Sequence, residues 1–125
     1  MRTFILLFSF VMLFQCSSVR SQTQVFTASD TNISVYNWDE FNISLESNKT
    51  TGYSWSVAEV SQGPNILILG SEYLTSNSGK VGEGGQELWH FKASSTGSAK
   101  LVFYYMRTWE KESPAKIITF NIKVK

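Results

Sequence analysis

Phe41-Asn42-Ile43-Ser44-Leu45-Glu46 sets apolar and polar residues in strict alternation. A period of two sends successive side chains to opposite faces of a pleated backbone, so this stretch predicts a strand with one buried and one wet face. The pattern recurs outward along the chain. Tyr53, Trp55 and Val57 alternate with Ser54, Ser56 and Ala58, and Ile118, Phe120, Ile122 and Val124 alternate with Thr119, Asn121 and Lys123. Leu101 to Met106 is apolar on both faces, as in a central strand, and Ile66 to Leu69 is a short apolar run read as a further buried strand. Turn-forming residues separate these runs at 48–52, 62–65, 77–85, 94–97 and 108–114. No stretch sustains a helical period. The spacing predicts an all-β chain, an immunoglobulin-like β-sandwich of about seven strands.

Toward the N-terminus the pattern changes. Arg2 is followed by an apolar run from Phe4 to Phe14, interrupted only by Ser9, and then by Cys16, Ser17 and Ser18. That order of charge, apolar run and small residues is expected of a secretory signal peptide over residues 1–21, cut after Ser18 or Ser21. The run is short against the ~20 residues of a membrane span, which argues against an uncleaved anchor. The remainder, residues 22–125, is one domain. It carries all four tryptophans but not Cys16, the only cysteine, so its stability must come from packing rather than disulfides. The mature chain is expected in the secretory pathway, outside the cell or in a lysosome-like vesicle, with no membrane attachment after cleavage.

Loss of Arg2 and Arg20 leaves a net charge near −1, without the basic clustering that a nucleic-acid partner needs. Lys116, Lys123 and Lys125 read as strand-edge and tail charges, which discourage edge-to-edge association. The residues needed for catalysis are missing. His90 is the only histidine and has no nucleophile near it in sequence, so a structural role is expected. One histidine and no mature cysteine do not make a metal site. Glu83, Glu87, Glu110 and Glu112 are read as solvated surface rather than as a glycosidase carboxylate pair. The glycine cluster at 82–85 lacks the Lys-Ser or Lys-Thr pair of a phosphate-binding loop. No cofactor is implied.

Three segments are richer than connections require. Asn48-Lys49-Thr50-Thr51-Gly52-Tyr53 combines a tight turn with two stiff, hydroxyl-bearing side chains at its tip. Gly82-Glu83-Gly84-Gly85 lets a backbone approach another molecule closely. Tyr105-Met106-Arg107-Thr108-Trp109-Glu110 offers an Arg and a Trp, residue types that anchor interfaces. Taken singly, each has a plain alternative: a hairpin turn, local flexibility, a core tryptophan. In a sandwich of this kind, loops of alternate connections can gather at one end.

In this order the three segments resemble the chagasin family of cysteine-protease inhibitors, which carry Asn-Pro-Thr-Thr-Gly-Tyr followed by Trp, then Gly-x-Gly-Gly, then Arg-Pro-Trp-Glu. The resemblance runs from about residue 25 to the end. It implies a reversible, non-covalent wedge against papain-like cysteine proteases, with Thr50 and Thr51 nearest the catalytic cysteine. It also implies that residues 82–85 lie along the cleft and that Arg107 and Trp109 clasp its far side. A monomer is the expected acting form.

Lys49 and Thr108 stand where the family has proline, so the free loops are expected to be looser, and Lys49→Pro is expected to tighten binding. Asn32, Asn42 and Asn48 each begin an N-glycosylation sequon. A glycan on Asn48 would stand in the binding loop, so Asn48 is expected to shape that loop instead. Two rival readings stay open on the residues alone: a secreted adhesion module that grips a glycan or surface protein, and a small glycosidase.

Overall fold

The computed structural model describes residues 22–60, 66–75, 84–110 and 113–125. The signal-peptide reading and the glycine-loop residues Gly82 and Glu83 fall outside them. Eight strands lie among the described residues: β1 (Gln24–Thr27), β2 (Asn32–Val35), β3 (Glu40–Ser47), β4 (Tyr53–Val60), β5 (Ile66–Thr75), β6 (Gly85–Ala93), β7 (Gly97–Arg107) and β8 (Lys116–Val124). They form two four-stranded sheets, ordered β1-β3-β6-β5 and β2-β8-β7-β4. All ladders are antiparallel except the two made by the short strands β1 and β2, which pair parallel with β3 and β8.

The alternation in the sequence is what the sheets bury. Phe41, Ile43 and Leu45 of β3, with Phe120, Ile122 and Val124 of β8, are at most 3 % exposed. Phe103 of β7 is the hub between the sheets. Its ring meets Trp55, Trp89, Phe91 and Phe120, each edge-on, at centroid distances of 5.4–6.5 Å. Edge-to-face rings of this kind add to the stabilisation that burial gives.

Two polar contacts also cross the sandwich near the end where β3 finishes. The Trp55 indole N–H donates to the Glu46 carbonyl at 2.9 Å, and the Trp55 amide donates to Glu87 Oε2 at 3.0 Å. Glu87 is therefore buried, 5 % exposed, and is not the solvated surface residue its sequence neighbourhood predicts. An alternating pattern cannot reveal that an inward carboxylate has an amide waiting on the opposite sheet.

Two further expectations are corrected. β5 is longer than predicted, and Leu67, Ile68 and Leu69 are 47–52 % exposed rather than buried. The strand is the outermost of its sheet, and a bulge between Ile68 and Gly70 offsets its register. Lys123 is not on an edge strand, because β2 pairs alongside β8 and puts Ser34 opposite it.

Candidate functional site

Asn48 leaves β3 in an extended conformation (φ −122°, ψ 94°) and caps the single 3-10 turn Lys49–Thr51. Its Oδ1 accepts from the Thr50 amide at 3.2 Å and from the Thr50 hydroxyl at 2.5 Å. The Thr51 hydroxyl donates to the Asn48 carbonyl at 2.6 Å. Amides of Thr51 and Gly52 close the turn onto the carbonyls of Asn48 and Lys49. Both threonine hydroxyl protons are thus committed inside the loop, which leaves methyl groups and oxygen lone pairs at its exposed tip. The Asn48 amide N–H donates to the Tyr105 hydroxyl at 3.1 Å, tying the turn to β7. Asn48 shapes the loop, as the sequence predicts.

Gly52 ends the turn in the left-handed region (φ 82°), where a side chain would be strained. It has a second requirement, since a Cβ there would overlap the Trp109 ring. The third segment is therefore seated on the first. Arg107 Nε donates to the Thr51 carbonyl at 3.0 Å, and its guanidinium lies 4.5 Å from the centroid of the Tyr53 ring. Tyr53 in turn stacks on Tyr105 at 5.2 Å. Arg107 Nη1 donates to Glu110 at 2.9 Å, and that hydrogen bond raises the already high pKa of the guanidinium, so its charge is permanent. The Glu110 amide donates to the Arg107 carbonyl at 3.2 Å, closing a turn with Thr108 and Trp109 at its tip. Trp109 is 68 % exposed, which removes the core reading of this residue.

Of the glycine segment, Gly84 and Gly85 are described. A Cβ on Gly84 would approach the Ser47 carbonyl and Asn48, so this segment flanks the first loop. A Cβ on Gly85 would overlap the Leu74 carbonyl and crowd the Tyr73 ring. Gly85 therefore serves close packing within the sheet. Tyr73 also donates its hydroxyl to the Ser47 carbonyl (3.3 Å) and lies under Lys49 Nζ, 4.9 Å from the ring centroid. Tyr73 carries no signal in the sequence and Tyr105 only opens the third segment, yet the two hold the base of the first loop from two strands.

The structure thus brings Asn48, Lys49, Thr50, Thr51, Gly52, Gly84, Arg107, Thr108 and Trp109 to one end of the sandwich. His90 is elsewhere, on the outer face of β6, with Nδ1 2.8 Å from Asn42 Oδ1 and Nε2 3.3 Å from Glu72. That contact partly occupies the Asn42 sequon, whereas Asn32 is exposed at the start of β2. Among the described residues no group of His, Cys, Asp and Glu could hold a metal ion, and no helix is long and apolar enough to cross a membrane.

Residues 34–124 match the family described as chagasin family peptidase inhibitor I42. The chain belongs to the chagasin family. It is therefore a peptidase inhibitor and not an enzyme. Solved structures share its fold. The cysteine protease inhibitor EhICP2 from Entamoeba histolytica aligns with a TM-score of 0.69 and 22% identity, covering 82% of this chain and 96% of that one. Amebosin aligns at 0.66 and 25% identity, covering 83% and 99%. PbICP-C, solved in complex with falcipain-2, aligns at 0.58 and 20% identity, covering 83% and 92%. A comparison with curated proteins gives no match.

Proposed function

We propose that this chagasin-family chain inhibits papain-like cysteine proteases reversibly and non-covalently, with the loop end of an immunoglobulin-like sandwich filling the catalytic cleft. The observation that carries this reading is the junction of the first and third loops. Arg107 holds the Thr51 carbonyl and Trp109 rests on Gly52, so one continuous exposed surface is set before any partner arrives. Prefolded loops lose little ordering entropy on binding. An interface of ordinary size would bury roughly 800 Å² on each partner.

The first loop also suits an inhibitor that is not consumed. A protease cleaves an extended peptide laid across its cleft, whereas residues 48–52 are wound into a hydrogen-bonded turn. Thr50 and Thr51 would sit nearest the catalytic cysteine with their methyl groups forward. Residues 82–85 would run along the cleft wall, and Trp109 would meet an aromatic or apolar patch on the far side. The protease class is supported by family membership and by the cysteine protease inhibitors that share the fold. The charged, apolar and small-residue order of residues 1–21 supports export of the inhibitor into a secretory or vesicular lumen.

Titration of the purified protein against papain or a cathepsin L-type enzyme tests the reading. Nanomolar, time-independent inhibition is expected, and replacing Thr50, Thr51 and Trp109 together by alanine should weaken it while leaving the fold intact. No inhibition at micromolar concentration, or an undiminished triple variant, would reject the assignment.

A further inference from the structure

The pole opposite the inhibitory loops carries a feature that inhibition does not use. β2 and β3 are joined there by a four-residue turn, residues 36–39, closed by the Asp39 amide donating to the Tyr36 carbonyl at 3.1 Å. β3 spans eight residues, so at ~3.4 Å per residue this turn lies roughly 24 Å from the first inhibitory loop. Its third residue, Trp38, has φ 71°, a left-handed conformation that this turn position normally gives to glycine or asparagine. A bulky side chain held there is strained, and strain of this kind points to a role for the side chain.

The fold does not supply that role. Apart from Asp39 Oδ2, which accepts from the Tyr36 amide at 3.0 Å, the turn is anchored by backbone. Trp38 N–H donates to the Ala93 carbonyl at 2.8 Å, Ala93 N–H to the Asp39 carbonyl at 3.0 Å, and Asn37 N–H to the Lys125 carbonyl at 2.9 Å. Glycine at position 38 would keep all three without strain. The indole is 66 % exposed, as is Tyr36 two residues before it. Its contact with Lys92 Nζ, 5.9 Å from the centroid, is at the outer limit of a cation–π interaction.

Both residues line a hollow of about 490 Å³ that opens beside β1 and β2, where the edge strands of the two sheets part. Gln24, Ser34, Asp39 and Glu40 line it as well, so its wall is mostly polar. The lining holds two carboxylates and no lysine or arginine, which disfavours phosphate, sulfate or nucleic acid. The Asp39 carboxylate keeps one oxygen on the Tyr36 amide, but a purely apolar segment would cover the Glu40 carboxylate without pairing it. The lining suits a ligand with apolar C–H faces to lie on aromatic rings and hydroxyl donors for carboxylate, amide and hydroxyl oxygens. We propose that this hollow is a second binding site, separate from the protease site, for a neutral oligosaccharide stacked on Trp38 and Tyr36.

The test is an NMR titration of the ¹⁵N-labelled protein with short oligosaccharides of glucose, mannose, galactose and N-acetylglucosamine in turn. At least one series should shift the amides of residues 22–24 and 34–40 and the Trp38 indole N–H. Binding should fall about tenfold or more in Trp38→Gly and in Glu40→Gln. Trp38→Gly removes the ring and the strain together, so its melting temperature should be equal or higher, and weaker binding there cannot be ascribed to unfolding. Protease inhibition should be unchanged in both variants. Absence of shifts with every sugar, shifts confined to other surfaces, undiminished binding by Trp38→Gly, or a response only to a cationic peptide used as control would each overturn the proposal.

Discussion

Gly52 carries two constraints at one position: a left-handed backbone and direct contact with the Trp109 ring. Alanine there must strain the backbone by ~1–2 kcal/mol and also push the indole away. Gly52→Ala is therefore expected to weaken protease inhibition more than it lowers the melting temperature, a split visible when both are measured on the same preparation. Lys49 presents a finer balance. It is the first residue of a capped turn and follows an extended Asn48, both suited to proline. Proline there should contribute ~0.4–1 kcal/mol by restricting the free chain. It would also remove the Lys49–Tyr73 contact, which at an exposed site is worth ~0.5–1 kcal/mol. The two nearly cancel in stability. Lys49→Pro should leave the melting temperature almost unchanged and lower the inhibition constant by no more than about fivefold; an unchanged or larger constant would show that loop stiffness is not limiting.

Between elements, the deciding contacts are the ones that cross from sheet to sheet. Glu87 on β6 accepts the amide of Trp55 on β4, an edge strand whose amide has no neighbour on that side within its own sheet. Glu87→Ala would leave a buried N–H unpaired, at about 1–3 kcal/mol. Chemical denaturation should show that loss, together with faster hydrogen exchange in β4. Unchanged stability would mean that water replaces the carboxylate. The turn after β7 offers the opposite test. Thr108 is its second residue and follows a strand residue, the arrangement in which proline is favoured. Thr108→Pro should raise stability modestly, ~0.4–1 kcal/mol, and preserve inhibition. A loss of either would show that the Thr108 amide or hydroxyl has work within the loop.

The domain as a whole depends on one aromatic core. Phe103 is fully buried and touches four other aromatic rings from both sheets. Phe103→Ala should cost ~3–5 kcal/mol, a large share of the 5–15 kcal/mol typical of a domain, and calorimetry should show a correspondingly depressed melting temperature. Much of this architecture was legible in the sequence. A side-chain period of two is a property of the strand backbone itself, so Phe41, Ile43 and Leu45, or Phe120, Ile122 and Val124, declare their buried face without reference to any neighbour. The loop end was legible for a different reason: Asn48, Gly52, Arg107 and Trp109 each had a plain alternative taken singly, and only the order of their three segments resembled the chagasin pattern. What the sequence could not hold is pairing across distance. That Arg107 clamps Thr51, that Gly52 makes room for Trp109, that Gly85 makes room for Tyr73, and that Glu87 is buried against Trp55 are contacts between residues 12 to 57 positions apart. No local pattern encodes them, since they exist only when two sheets close on one core. Periodicity determined which residues turn inward; the closure of the sheets decided which of them meet.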